Sequence, residues 1–66
     1  MTPDRIRACL SLIGWSQRGL AERLGHDERQ VRRWCSGHHE IPEAVANWLN
    51  ALADFHERNP PPPWES

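Results

Sequence analysis

The chain has 66 residues, a size that allows one small domain with a thin hydrophobic core. Its apolar and charged contents are balanced as in globular proteins, which excludes a disordered chain. The formal net charge is −1, yet seven arginines and four acidic residues fall in residues 1–37, against one arginine and five acidic residues in residues 38–66. A basic half of this kind favours a polyanionic partner such as a nucleic acid.

The sequence offers no sign of export or membrane insertion. No apolar run approaches the ~20 residues that span a bilayer, and the N-terminus lacks the apolar core of a signal peptide. Two cysteines, Cys9 and Cys35, are too few for a secreted disulfide framework, and each lies on the apolar stripe of its own predicted helix. We therefore expect buried, reduced thiols and a cytoplasmic location.

The first predicted helix covers residues 2–13. Thr2 is a suitable N-cap, and Pro3 fits the first helical position, where its missing N–H costs nothing. Four apolar residues recur with the spacing of a buried helical face: Ile6, Cys9, Leu10 and Ile13. Arg5 and Arg7 lie off this stripe, where solvation is the expected state and a phosphate contact is the alternative.

Residues 16–37 are predicted to form two short helices joined by a turn that contains glycine. The first helix covers residues 17–24, with Ser16 as its N-cap, and Gly25 can end it in the left-handed conformation. Three apolar residues of this helix are expected to face the core: Leu20, Ala21 and Leu24. Two helices joined in this way are the signature of a helix-turn-helix.

The second helix of the pair covers residues 28–36. Asp27 is its predicted N-cap, and Gln30, three residues later, completes a capping-box pattern. At helical spacing, one side of the helix is apolar, with Val31, Trp34 and Cys35, and the other carries Arg29, Arg32, Arg33 and Ser36. Such a helix suits insertion into the major groove, where arginine can donate two hydrogen bonds to guanine. A solvated charged face is the alternative.

Residues 15–42 resemble the helix-turn-helix of lambda-repressor-like, Cro/cI-type DNA-binding domains. The resemblance rests on Gln17 at the start of the first helix, on Leu20, Ala21 and Leu24 before Gly25, on Val31 and Trp34, and on Gly37 before a loop that ends in Ile41 and Pro42. The chain departs from the usual pattern at Gly19, where a good helix former is normal, and at Cys35, where a polar or acidic residue is common. The resemblance implies an all-α fold of four to five helices, with the helix-turn-helix at about residues 16–37.

The resemblance also implies which residues contact DNA, because the N-terminal part of the second helix approaches base edges in this motif. We predict base reading by Glu28, Arg29, Gln30 and Arg33. We predict phosphate contacts by Gln17, Arg18, Arg32, Ser36, His38 and His39. Two interpretations of Glu28 remain open at this point. Its carboxylate accepts a hydrogen bond from cytosine N4, or it only favours the positive end of the helix dipole.

Other kinds of site fit the sequence less well. Cysteine and histidine are the preferred ligands of zinc, but Cys9, Cys35, His38 and His39 lack a C-x-x-C anchor, and neighbouring histidines rarely converge on one ion. The chain also lacks a glycine-rich or oxyanion-forming loop and room for a substrate cleft. We therefore expect no metal, no cofactor and no enzymatic activity.

The last predicted helix, residues 43–58, has a wide apolar sector. A stripe that closes the core is expected from Ile41, Val45, Leu49 and Leu52, and a neighbouring arc holds Ala44, Trp48, Ala51 and Phe55. This excess of apolar surface predicts a partner, most economically a second copy of the chain. The alternative is that Trp48 and Phe55 cover the ends of a small core. The domain ends near residue 58, and residues 59–66 form a proline-rich tail with Trp64, whose role is open.

The expected function is sequence-specific binding of double-stranded DNA at an inverted repeat by a homodimer. The simplest such protein is a small phage or bacterial transcriptional repressor that occludes a promoter, and an autoregulatory role fits. The alternative is a protein-interaction module, antitoxin-like or adaptor, which grips another chain through the last helix and Trp64.

Overall fold

A computed structural model describes residues 1–62, which form four α-helices and no β-strand. The helices are α1 (Pro3–Ile13), α2 (Gln17–Leu24), α3 (Glu28–Ser36) and α4 (Glu43–Arg58). The all-α prediction is confirmed, and each helix lies within one residue of its predicted bounds. None of the four helices is long and apolar enough to cross a membrane. The predicted tail is described only as far as residue 62, so the expectation for Trp64 lies outside the described residues.

Side chains cap the first three helices at the positions that the sequence indicates. Thr2 Oγ1 accepts from the Arg5 N–H at 3.1 Å, Ser16 Oγ from the Gly19 N–H at 2.9 Å, and Asp27 Oδ1 from the Arg29 N–H at 3.0 Å. The capping-box prediction for α3 is wrong, because the side chain of Gln30 does not return to Asp27. Its amide lies 3.3 Å from the ring of His39 instead, so the loop after α3 competes for it.

The core forms where α1 packs against α3 and α4, while α2 packs against α3. The predicted stripes of α1 and α3 are buried in full, and α2 buries Leu20 and Ala21. Leu24 is only half-buried and packs against the edge of the core. Trp34 is the largest fully buried side chain, so α3 is anchored from its inner face.

The buried face of α4 agrees with the predicted one in part. Ile41 and Leu49 of the predicted stripe are buried, and Val45 and Leu52 are half-buried against the core. Ala46 and Ala53, which the stripe did not include, are buried as well. Alanine side chains are short, so turning this face inward lets α4 approach α1 closely, and the larger side chains fill the edges of the contact. The predicted apolar arc is thereby turned away from the core, and all four of its residues are exposed: Ala44, Trp48, Ala51 and Phe55.

Candidate nucleic-acid interface

A three-residue turn, residues 25–27, sets α3 against α2. Gly25 has a φ of 68°, a left-handed conformation that reverses the chain at the end of α2. His26 follows and places its ring edge-on to Trp34, with 6.1 Å between the ring centroids. Because Val31 and Trp34 are buried on the inner face of α3, the polar residues of this helix point outward.

The arginine side chains differ in whether they already have a partner. Ion pairs join Arg7 to Asp4, Arg18 to Glu22 at 3.4 Å, Arg32 to Glu28 at 3.1 Å and Arg58 to Asp54 at 3.3 Å. Arg5 donates to Asn50, and Arg23 donates to the Gly19 carbonyl and lies over the Trp15 ring. Within residues 1–62, Arg29 and Arg33 are exposed and make no hydrogen bond or ion pair through their side chains. Their guanidinium donors are therefore available to a ligand.

Glu28 has a partner that the sequence analysis did not assign to it. Its Oε1 accepts from Arg32 Nη2 at 3.1 Å, one helical turn later on α3. This pair uses one carboxylate oxygen and reduces the net charge of the face that carries Arg32. Glu28 also lies in the first turn of α3, where a carboxylate interacts favourably with the helix dipole.

Gln30 lies on the other edge of α3, beside the loop that leads to α4. Its Nε2 is 3.3 Å from His39 Nδ1, within hydrogen-bond distance. The backbone N–H of His39 also donates to the Arg33 carbonyl at 3.2 Å, which closes the loop onto the end of α3. His38 and His39 are both exposed. Of the four predicted base readers, Gln30 is thus the one tied to the loop.

Three of the six predicted phosphate-contacting residues come together. Gln17, Arg32 and Ser36 line an open cleft of about 320 Å³ where α1, α2 and α3 meet. Arg18, His38 and His39 do not line it.

The remaining lining residues of this cleft are Cys35 and Arg7, which the prediction left out. The Arg7 guanidinium donates to the Cys35 carbonyl across 28 residues of sequence. The sequence offers a phosphate contact for Arg7 only as the alternative to solvation, because the contact with Cys35 depends on how α1 packs against α3.

The two cysteines are free and buried. Burial raises the pKa of the Cys35 thiol, and the positive charge of Arg7 opposes part of this effect. Among residues 1–62, no three His, Cys, Asp or Glu side chains come together in a way that could hold a metal ion.

An exposed apolar arc runs along α4. Trp48 is 38% exposed and Phe55 is 63% exposed, two turns apart on the same side of the helix. The Trp48 ring leans on Trp15, with 5.7 Å between the centroids and 49° between the planes. Because the indole of Trp48 contacts Trp15, its position is fixed while part of its surface stays in water.

No protein-family model, curated protein or solved structure matches the chain. The interpretation of this interface therefore depends on the geometry and chemistry of its residues.

Proposed function

We propose that this chain is a lambda-repressor-like helix-turn-helix protein that binds a specific DNA duplex as a homodimer. The observation that carries the proposal is the exposed pair Arg29 and Arg33 on α3, whose guanidinium groups have no partner within residues 1–62. The three-residue turn and the buried inner face of α3 support it, because they present these side chains on a rigid helix.

In this proposal α3 lies in the major groove with its N-terminal part closest to the bases. Arg29 and Arg33 are one turn apart on one side of α3, separated by about 6 Å along the helix axis. Each guanidinium can donate two hydrogen bonds to O6 and N7 of a guanine, a contact worth about 1–3 kcal/mol of discrimination. We therefore expect guanines within each half-site to be the main determinants of sequence preference.

The phosphate contacts in the proposal flank α3. Gln17 and Arg32 lie in the cleft at the start of α2, and Ser36 completes its wall. Arg18 and the two histidines, His38 and His39, lie outside the cleft and are expected to contact phosphates more loosely. Such contacts set the position of the domain on the duplex, and they carry no sequence information themselves.

Self-association in the proposal uses the exposed arc of α4: Ala44, Trp48, Ala51 and Phe55. Burying two aromatic side chains and two alanines on each copy removes apolar surface from water, and the same patch on both copies suits a two-fold axis. Helix-turn-helix dimers hold their recognition helices about 34–36 Å apart, so the proposal requires this separation of the two copies of α3 and predicts an inverted repeat with half-sites one helical turn apart. Bound at a promoter, such a dimer excludes polymerase sterically, so repression by a small phage or bacterial regulator, including of its own gene, is the simplest mechanism.

A double substitution tests the assignment of the reading face. Arg29→Ala with Arg33→Ala removes both free guanidinium groups, and we expect the variant to lose preference for the duplexes that the unmodified chain selects. The matched control is Arg5→Ala with Arg58→Ala, which removes the same charge from side chains that contact Asn50 and Asp54. Fluorescence anisotropy with selected and scrambled duplexes measures both variants. Equal losses in the two variants would contradict the assignment, since net charge alone would then explain binding.

A second candidate function is that of a protein-interaction module that uses the α4 arc on a different chain. The exposed Trp48 and Phe55 favour it, because aromatic side chains of this size dominate many protein interfaces. The double arginine variant separates the two functions, since it leaves the arc intact. A chain that stays monomeric in sedimentation experiments and selects no duplex would favour this second function.

A further inference from the structure

The open cleft at the start of α2 is lined by donor side chains from three helices. Its volume is about 320 Å³, and its lining comes from three helices: Arg7 of α1, Gln17 of α2, and Arg32, Cys35 and Ser36 of α3. The two free arginines of the reading face, Arg29 and Arg33, do not line it. The cleft is therefore a separate place from the surface proposed to read bases.

Arg7 is held in one orientation at this cleft. One guanidinium nitrogen donates to the Cys35 carbonyl in the last turn of α3, and the other terminal nitrogen pairs with Asp4. A guanidinium has five N–H donors in a fixed planar fork, so two bonds leave three donors over. The Arg7 side chain is about half exposed, with a relative accessibility of 51%, so these donors remain accessible from outside.

Arg32 supplies the second guanidinium of the cleft, also fixed by an acid. Its Nη2 donates to Glu28 at 3.1 Å, which again leaves donors unused. Neither Asp4 nor Glu28 lines the cleft. Ser36 Oγ already donates to the Arg33 carbonyl at 3.3 Å and contributes little as a donor.

The chemistry of this lining fits an oxyanion with several acceptor oxygens. Two guanidinium groups and the carboxamide of Gln17 offer donors, and no carboxylate stands in the lining to repel an anion. We propose that the cleft is a phosphodiester site, in which Arg7 and Arg32 together hold one backbone phosphate of the bound duplex. The proposal rests on the DNA-binding function proposed above and adds α1 to the interface. Because Arg7 also holds the last turn of α3 through Cys35, the same phosphate would fix the angle at which α3 enters the groove.

The test compares two arginines of the same helix. Arg7→Ala removes the cleft contact, whereas Arg5→Ala removes an equal charge from a side chain bonded to Asn50 of α4. We expect Arg7→Ala to weaken binding of a selected duplex about tenfold at low salt and to reduce the slope of log K against log salt by about one. We expect the base preference of Arg7→Ala to be the same as that of the unmodified chain. Equal slopes for Arg7→Ala and Arg5→Ala would overturn the proposal.

Ethylation interference distinguishes a lost phosphate contact from a loosened α3. For the unmodified chain, we expect ethylation of several phosphates in each half-site to weaken binding, one of them the phosphate held by Arg7 and Arg32. For Arg7→Ala, ethylation of that one phosphate has no further effect, while ethylation of the other phosphates still weakens binding. A purely structural role for Arg7 would weaken binding without removing any single position from the pattern, and that result would overturn the proposal. Arg7→Lys keeps the charge and is expected to retain the salt slope with part of the affinity.

A second measurement separates failure of this site from failure of DNA binding. If the unmodified chain binds no duplex, inorganic phosphate is titrated into the full chain, and the Nε–H signals of its arginines are followed by NMR. Saturable shifts at Arg7 and Arg32, with none at Arg5, support an anion site in the cleft even without DNA. No shift, or an equal shift at Arg5, overturns it.

Discussion

At the residue scale, ion pairing divides the arginines of α3 into two kinds. Arg32 is tied to Glu28, whereas Arg29 and Arg33 have no partner in the described part of the chain. An exposed pair of this kind contributes little to stability, about 0.3–0.5 kcal/mol, so Glu28 competes only weakly with a phosphate for the donors of Arg32. The free arginines have no such competitor, which is why we assign base reading to them.

Glu28→Gln tests the role of the carboxylate directly. The substitution removes a negative charge from the proposed DNA-binding face and releases Arg32, so we expect tighter binding to all duplexes with unchanged base preference. Binding curves for selected and scrambled duplexes measure both quantities. Lost preference at one C·G pair would instead mean that Glu28 accepts from cytosine N4, the interpretation that the sequence left open.

Cys35 gives the fold a sensitivity to alkaline pH. Burial raises the pKa of its thiol, although Arg7 opposes the effect, so the unfolded chain loses this proton first as pH rises. The contribution of the buried thiol to the free energy of unfolding is fully present below a pH of 9.0, the pKa of the thiol in the unfolded chain. It is lost as the pH rises from there through the pKa of the thiol in the folded chain. We expect the free energy of unfolding from urea titrations to fall as the pH rises above 9.0, and the free energy of unfolding of Cys35→Ala to fall less steeply. Identical slopes for the two chains would contradict this.

At the element scale, local signals predict the helix bounds and caps well. Thr2, Ser16 and Asp27 each accept from a backbone N–H two or three residues ahead, and these contacts depend only on neighbouring residues. Local signals do not predict the burial of Ala46 and Ala53 or the contact of Arg7 with Cys35, because both depend on how α1 packs against distant helices. Gln30 fits a capping box as well as a loop contact, and only the position of His39 selects the latter.

Gly25→Ala measures how strongly the turn between α2 and α3 is specified. Its φ of 68° is a left-handed conformation, and an added Cβ would have no atom within 4 Å, so the cost is one of backbone conformation. We expect a loss of about 1–2 kcal/mol in the free energy of unfolding.

Gly19→Ala is the contrast, because this residue is helical, and its added Cβ meets Ser16 Oγ at 3.3 Å. Helix propensity favours alanine at this position by up to about 1 kcal/mol. The contact between the added Cβ and Ser16 Oγ reduces this gain in the free energy of unfolding. A neutral Gly25→Ala would contradict the left-handed turn.

At the scale of the whole molecule, α4 divides its apolar residues between the core and an outward surface. Leu49 is fully buried, whereas Phe55 is 63% exposed on the proposed dimer arc. We expect Leu49→Ala to cost about 2–5 kcal/mol of stability, a large share of what a domain of this size has. Phe55→Ala should leave unfolding of the dilute monomer nearly unchanged and weaken self-association. Urea titration and sedimentation equilibrium measure the two effects, and equal destabilisation by both would place Phe55 in the core.

The charge asymmetry belongs to the same scale. Four of the seven arginines of residues 1–37 lie on α3 or line the cleft, namely Arg7, Arg29, Arg32 and Arg33, and the acidic excess lies in residues 38–66. The DNA-binding proposal predicts such an asymmetry, which a net charge of −1 by itself would conceal.

Selection of bound duplexes from a randomised DNA library at near-physiological salt tests the central claim most directly. We expect enrichment of an inverted repeat whose half-sites lie about one helical turn apart and contain the guanines read by Arg29 and Arg33. Absence of enrichment, together with binding that disappears as salt rises, would contradict sequence-specific recognition and leave only electrostatic affinity for DNA.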